Sequence, residues 1–108
     1  MKWYCTPCGS FPAEAPKKGD EVVYTFEEPL SCKRITVQTA DPKNNFYGIT
    51  QGHVEVLYEG GTRFIPQLAF DMYNRVVFSP TRPVKAVKIV VDGPGEGKAV
   101  YIQSLKIE

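Results

Sequence analysis

Apolar and polar residues alternate along most of this chain with a period of two, the spacing of a half-buried strand; helical spacing is almost nowhere to be found. Glu21–Phe26 sets Val22, Tyr24 and Phe26 against Glu21, Val23 and Thr25, and Glu28-Pro29 is expected to end that strand because proline cannot donate to a ladder. Cys32–Thr39 follows, with Ile35, Val37 and Thr39 on one face; Leu30 and Cys32 are out of phase with them, which predicts a bulge near Lys33. His53–Tyr58 alternates again, and Glu59-Gly60-Gly61-Thr62 supplies a hairpin turn into Arg63-Phe64-Ile65. Asn74–Phe78 reads as a short strand closed by Ser79-Pro80. Val84–Val91 gathers Val87, Ile89 and Val91 on one face, with Lys85 and Lys88 on flanks open to solvent. Ala99–Glu108 is the last strand, its phase broken at Gln103-Ser104 by a second expected bulge.

Between these runs lie turn-rich stretches: residues 5–20 (CTPCGSFPAEAPKKGD), 40–48 (ADPKNNFYG) and 92–97 (DGPGEG). Short strands punctuated by glycine and proline specify an all-β chain, an antiparallel β-sandwich of about seven or eight strands. At 108 residues it is expected to be one domain, 1–108, without internal repeat or low-complexity tract. The short lead from Met1 to Trp3-Tyr4 is that expected of a piece of a longer chain, so any export signal would lie outside it.

Charge narrows the partners. Thirteen Lys and Arg face twelve Asp and Glu, a net charge of +1 without a basic run, so a nucleic-acid partner is not expected. Apolar runs fall well short of the roughly 20 residues that span a bilayer as a helix, and membrane insertion is not expected.

Three stretches resemble a known family. Gly19-Asp20-Glu21-Val22-Val23-Tyr24-Thr25-Phe26 with Pro29-Leu30, the Gly52–Gly60 run GHVEVLYEG, and Pro83–Val91 (PVKAVKIVV) with Ile102–Ile107 (IQSLKI) are similar, in order and spacing, to discoidin domains. These are also called coagulation factor 5/8 type C domains, and the closest flavour is the copy appended to bacterial β-N-acetylhexosaminidases and related glycoside hydrolases. The resemblance implies a galactose-binding-like jelly roll, a role as a non-catalytic accessory module, and a carbohydrate or glycan ligand on loops at one end of the sandwich. It implies as partner the parent catalytic domain, and an extracytoplasmic location. It also implies a calcium site, though the upstream strands that help build it are absent here; no other cofactor is implied. Glu59-Gly60-Gly61 stands where Asp-Gly is usual in the family, a change in turn chemistry.

Candidate chemistry is weighed against plainer readings. CTPC (Cys5, Cys8) has the spacing of a thioredoxin-like loop, yet GSFPAEAPKKG after it forbids the helix that would activate its first thiol. Zinc would need Cys5, Cys8, Cys32 and His53 together, without a second knuckle, so no metal site is assigned. Cys5 and Cys8 then read as loop thiols or a small disulfide, and Cys32 as a small strand residue packed in the core. His53, the one histidine, has no nucleophile placed to work with it and reads as a strand-surface residue. Glu27 and Glu28 are adjacent and point to opposite faces, which does not give two carboxyls across a glycosidic bond; no catalytic residue is assigned. Sugar rings bury C–H faces on aromatics while amides bind hydroxyls. Trp3 and Tyr4 in the opening loop and Asn44, Asn45, Phe46 and Tyr47 after the second strand are therefore the candidate ligand-binding residues. The alternative for Trp3 and Phe46 is that they plug the core under long loops. Tyr73 and Arg75, in DMYNR, are read as edging a strand, with facing a ligand as the alternative. An interaction module packing on the catalytic domain without a sugar site is the rival function, and a small thiol or metal protein built on CTPC is a further one.

Overall fold

The computed structural model describes residues 2–5, 9–11, 17–40, 49, 51–93 and 100–108, with the backbone alone described for 2–5 and 9–11. These residues form nine strands in two antiparallel sheets: β1 (Lys2–Cys5), β2 (Gly9–Phe11), β3 (Glu21–Leu30), β4 (Ile35–Thr39), β5 (Gly52–Tyr58), β6 (Ile65–Ala69), β7 (Arg75–Phe78), β8 (Val84–Val91) and β9 (Val100–Ile107). One sheet runs β1-β9-β4-β7, with β2 also on β9; the other runs β3-β8-β5-β6. Strands β3–β9 make the expected all-β sandwich of seven strands, and the two short opening strands extend one edge of it.

The period-two pattern builds the core directly. Ile35, Val37, Val76, Phe78, Val100, Ile102, Leu105 and Ile107 from one sheet meet Phe26, Val54, Val56, Tyr58, Val84, Val87, Ile89 and Val91 from the other. Ile49 and Phe70 close the end of this core. Each fully buried Val, Ile or Leu contributes about 1.5–3 kcal/mol, which offsets the entropy of ordering short strands with long connections. Strand β8 has the ends expected, and Gln103 is bulged as expected: Gln38 pairs with Ser104 and Thr39 with Ile102.

Four local expectations are corrected. The phase break near Lys33 is no bulge: β3 and β4 belong to different sheets, and Ser31–Arg34 carries the chain across. Pro29 does not end β3, which continues to Leu30. That strand lies at a sheet edge, and Pro29 falls in the irregular stretch between the Thr25 and Leu30 pairings, so its missing N–H breaks no ladder. Cys32 lies in the crossover instead of a strand, half-buried against the rim of the core. The opening segment, read as loop, pairs with β9: Lys2 with Ile107, Trp3 with Lys106, Cys5 with Leu105, then Gly9 with Ile102 and Phe11 with Val100. Of CTPC, Cys5 ends β1, and Thr6, Pro7 and Cys8 lie outside the described residues.

One end of the sandwich gathers the features of interest. There β4 finishes, β5 begins, β6 finishes, β7 begins and β8 finishes. Ile49 stitches the two sheets at this end: its N–H donates to Thr39 Oγ1 at 3.1 Å, and it packs on Gly52. A Cβ at Gly52 would lie 2.5 Å from both Ile49 Cγ2 and the Val90 carbonyl oxygen, so only glycine lets β5 start here.

Candidate functional site

Two carboxylates organise this end. The first is Asp71, in the connection between β6 and β7. Phe70 is buried and its N–H donates to the Gly52 carbonyl at 3.1 Å, anchoring the entry. Asp71 Oδ1 then accepts from the N–H of Tyr73 (2.8 Å) and of Arg75 (3.1 Å), while Oδ2 accepts from Arg75 Nε (3.3 Å). This is the local bonding that makes aspartate a turn former. Asn74 takes the left-handed conformation that reverses the chain, at φ 59°, and asparagine is among the residues that tolerate it best. From β4, Gln38 Nε2 donates to the Tyr73 carbonyl (2.9 Å), and Thr39 donates to the Asn74 carbonyl through both its N–H (2.9 Å) and its hydroxyl (2.7 Å). Asn74 Oδ1 is buried without a hydrogen-bond partner among the described residues.

The result is a pinned backbone with free side chains. Met72 is 82% exposed and Tyr73 62% exposed, and the Arg75 guanidinium lies 5.2 Å from the Tyr73 ring centroid. An aromatic face, a guanidinium, a carboxylate and a side-chain amide thus share one rim, the set that small polar ligands with apolar faces require. The sequence reading placed Tyr73 and Arg75 at a strand edge, with a ligand-facing position as the alternative. Arg75 does open β7, an edge strand, whereas Tyr73 stands in the preceding turn. The signal for the turn, Asp71 followed by Asn74, was present in the sequence.

The second carboxylate is Asp92, just past β8, on the outer face of the β3-β8-β5-β6 sheet. Its Oδ2 lies 2.6 Å from His53 Nδ1, and Glu55 Oε2 lies 2.6 Å from His53 Nε2. A carboxylate against each ring nitrogen calls for an N–H on each, so this geometry is that of the imidazolium. Partial burial works against that charge, but the hydrogen bonds His53 donates to Asp92 and Glu55, with the charges of those carboxylates, outweigh it and raise the His53 pKa above its ordinary 6.5. Lys88 extends the network, 3.8 Å from Glu55 Oε1 and 3.7 Å from Glu21 Oε2, with its ammonium 4.1 Å from the Phe64 ring centroid. Lys88 was expected on an open flank. It is only 18% exposed, because β8 is the second strand of its sheet and its outward residues are covered from both sides. Lys85 is exposed as expected.

Of the sequence-predicted ligand residues, Trp3 and Tyr4 lie in β1, with Tyr4 at the register shift between Trp3 and Cys5. Asn44, Asn45, Phe46 and Tyr47 lie outside the described residues.

Elsewhere among the described residues the chemistry is sparse. A shallow cleft of about 210 Å³ at the opposite end is lined by Ser31, Cys32, Pro80, Thr81, Arg82 and Pro83, below the size of ordinary small-molecule sites. Burial raises the Cys32 pKa and keeps it a thiol. Glu27 and Glu28 are both exposed. Calcium takes six to eight oxygen ligands, and among the described residues no group of three His, Cys, Asp or Glu is placed to hold a metal ion. Nor is any helix among them long and apolar enough to cross a membrane.

Set against known proteins, the chain matches no protein-family model and no curated protein.

Proposed function

We propose that this chain is a non-catalytic, carbohydrate-binding accessory module, of discoidin-like and galactose-binding-like type, belonging to an extracytoplasmic glycoside hydrolase of the β-N-acetylhexosaminidase kind. Support comes first from the resemblance, whose three stretches fall on β3, on β5 with its hairpin turn, and on β8 with β9. The observation that carries the reading is Tyr73. An aromatic ring held in the open by a backbone pinned through Asp71, Gln38 and Thr39, with Arg75 against it, is a preorganised platform for a sugar face. Holding a catalytic domain near its polymer raises effective concentration, so even millimolar affinity is useful to the parent enzyme.

The test is titration with galactose, N-acetylglucosamine and N-acetylgalactosamine, followed by amide NMR shifts. Saturable shifts at Asp71–Arg75 and in segment 41–48 are expected, and Tyr73→Ala should weaken them at least about tenfold. A flat response to millimolar sugar would sink the reading. It would then favour an interaction module, for which Leu68, Met72 and Val77, all exposed along the β6–β7 side, supply apolar contact area.

A further inference from the structure

The Asp92–His53–Glu55 arrangement holds together only in one protonation state. An imidazolium has two N–H donors and a neutral imidazole has one, so losing a proton leaves one ring nitrogen lone pair facing a carboxylate 2.6 Å away. One carboxylate must then move. Glu55 sits two residues on in the same strand, is 20% exposed at its side chain and is engaged by Lys88. Asp92 lies outside β8, is 47% exposed at its side chain, and has no other side-chain partner among the described residues. Water can replace its lost bond at small cost, whereas moving Glu55 would uncover a half-buried charge. We propose that His53 is a protonation-controlled tether: as imidazolium it ties the exit of β8 to β5, and on losing a proton it keeps Glu55 and releases Asp92.

What the release frees is local. Asp92 N–H still donates to the Gln51 carbonyl at 2.8 Å, and Gly93 packs so tightly on Gln51 that a Cβ would lie 2.2 Å from its Oε1. The carboxylate clamp goes while the backbone crossing stays, so the start of the β8–β9 connection loosens without unfolding β8. Among the described residues, the charged groups facing His53 are Asp92 beyond β8, Glu55 on β5, Lys88 on β8 and, beyond Lys88, Glu21 on β3; opposite it on β6 stands Ala69, which does not titrate. The inference rests on this geometry and is independent of sugar binding.

Because His53 is the one histidine, its ring nitrogens in ¹⁵N-labelled protein need no assignment. Titration from pH 5 to 9 should show one midpoint above 6.5, with the Nε2–H tautomer on the basic side. Across the same midpoint the hydrogen-exchange protection factor of the Asp92 amide should fall about tenfold, the scale of one charge-assisted hydrogen bond, while that of Val54 holds. In Asp92→Asn the midpoint should drop. An Nδ1–H tautomer above the midpoint, constant protection at Asp92, or a midpoint unmoved in the variant would each overturn the tether.

Discussion

Asp71 and Asp92 stand at the same end of the sandwich and do the same job, fixing the exit or entry of a strand, with different partners. Asp71 accepts from two backbone N–H groups and a guanidinium, none of which loses a proton between pH 6 and 9. Asp92 accepts from an imidazolium, the side chain that does. One brace is therefore permanent across physiological pH and the other conditional. A carboxylate at a strand end tells little by itself; the donor decides whether the joint is a rivet or a latch.

The largest effect is expected where both braces meet. Gly52 accepts the Phe70 N–H that starts the Asp71 turn and precedes His53 in the chain, and its missing side chain makes room for Ile49 and Val90. Gly52→Ala should cost about 3 kcal/mol by forcing β5 away from β8, read as a lowered urea midpoint at unchanged slope. A neutral result would mean that Ile49 can swing aside and that the two sites are mechanically separate.

Smaller is the loss from Asp71→Ala, expected at about 1 kcal/mol because the carboxylate is part-exposed and water replaces some of what is lost. That loss should be the same at pH 6 and pH 8. On the sugar-binding reading, affinity should fall with it, since Tyr73 is no longer held. A loss that grew or shrank with pH would break the contrast with Asp92.

The smallest effect is the most diagnostic. Because the folded His53 pKa is raised above its unfolded value, the clamp's stabilisation is complete below about pH 6.5 and drains away as pH rises through the folded midpoint. The stability gap between the natural chain and Asp92→Asn should accordingly be widest near pH 6 and close by pH 9, measured as melting temperature at each pH. A gap that is constant, or widest at pH 9, would show that the clamp does not act through the imidazolium.

What the sequence determined alone was everything with a period of two. Val84–Val91, His53–Tyr58 and the phase break at Gln103 were legible because inward and outward positions alternate residue by residue along a strand, and that alternation is local. The faces that alternation sets up carry Val54, Val56, Ile89, Ile102 and Leu105 in the core of the folded sheets. What the sequence did not hold was which strand lies beside which. The phase break near Lys33 looked like a bulge and is a passage between sheets; Pro29 looked like a stop and is tolerated at an edge; Lys88 looked free and is flanked by Glu55 and Glu21 from the strands either side. The opening segment read as loop, and its residues 2–5 and 9–11 pair along β9. The candidate site divides the same way. The turn chemistry of Asp71 and Asn74 is written within five residues, but Gln38 and Thr39 reach it from 35 residues away, and Asp92 reaches His53 from 39. Hydrogen bonds between strands distant in the chain leave no periodic trace, so only the folded sheets could bring these groups together.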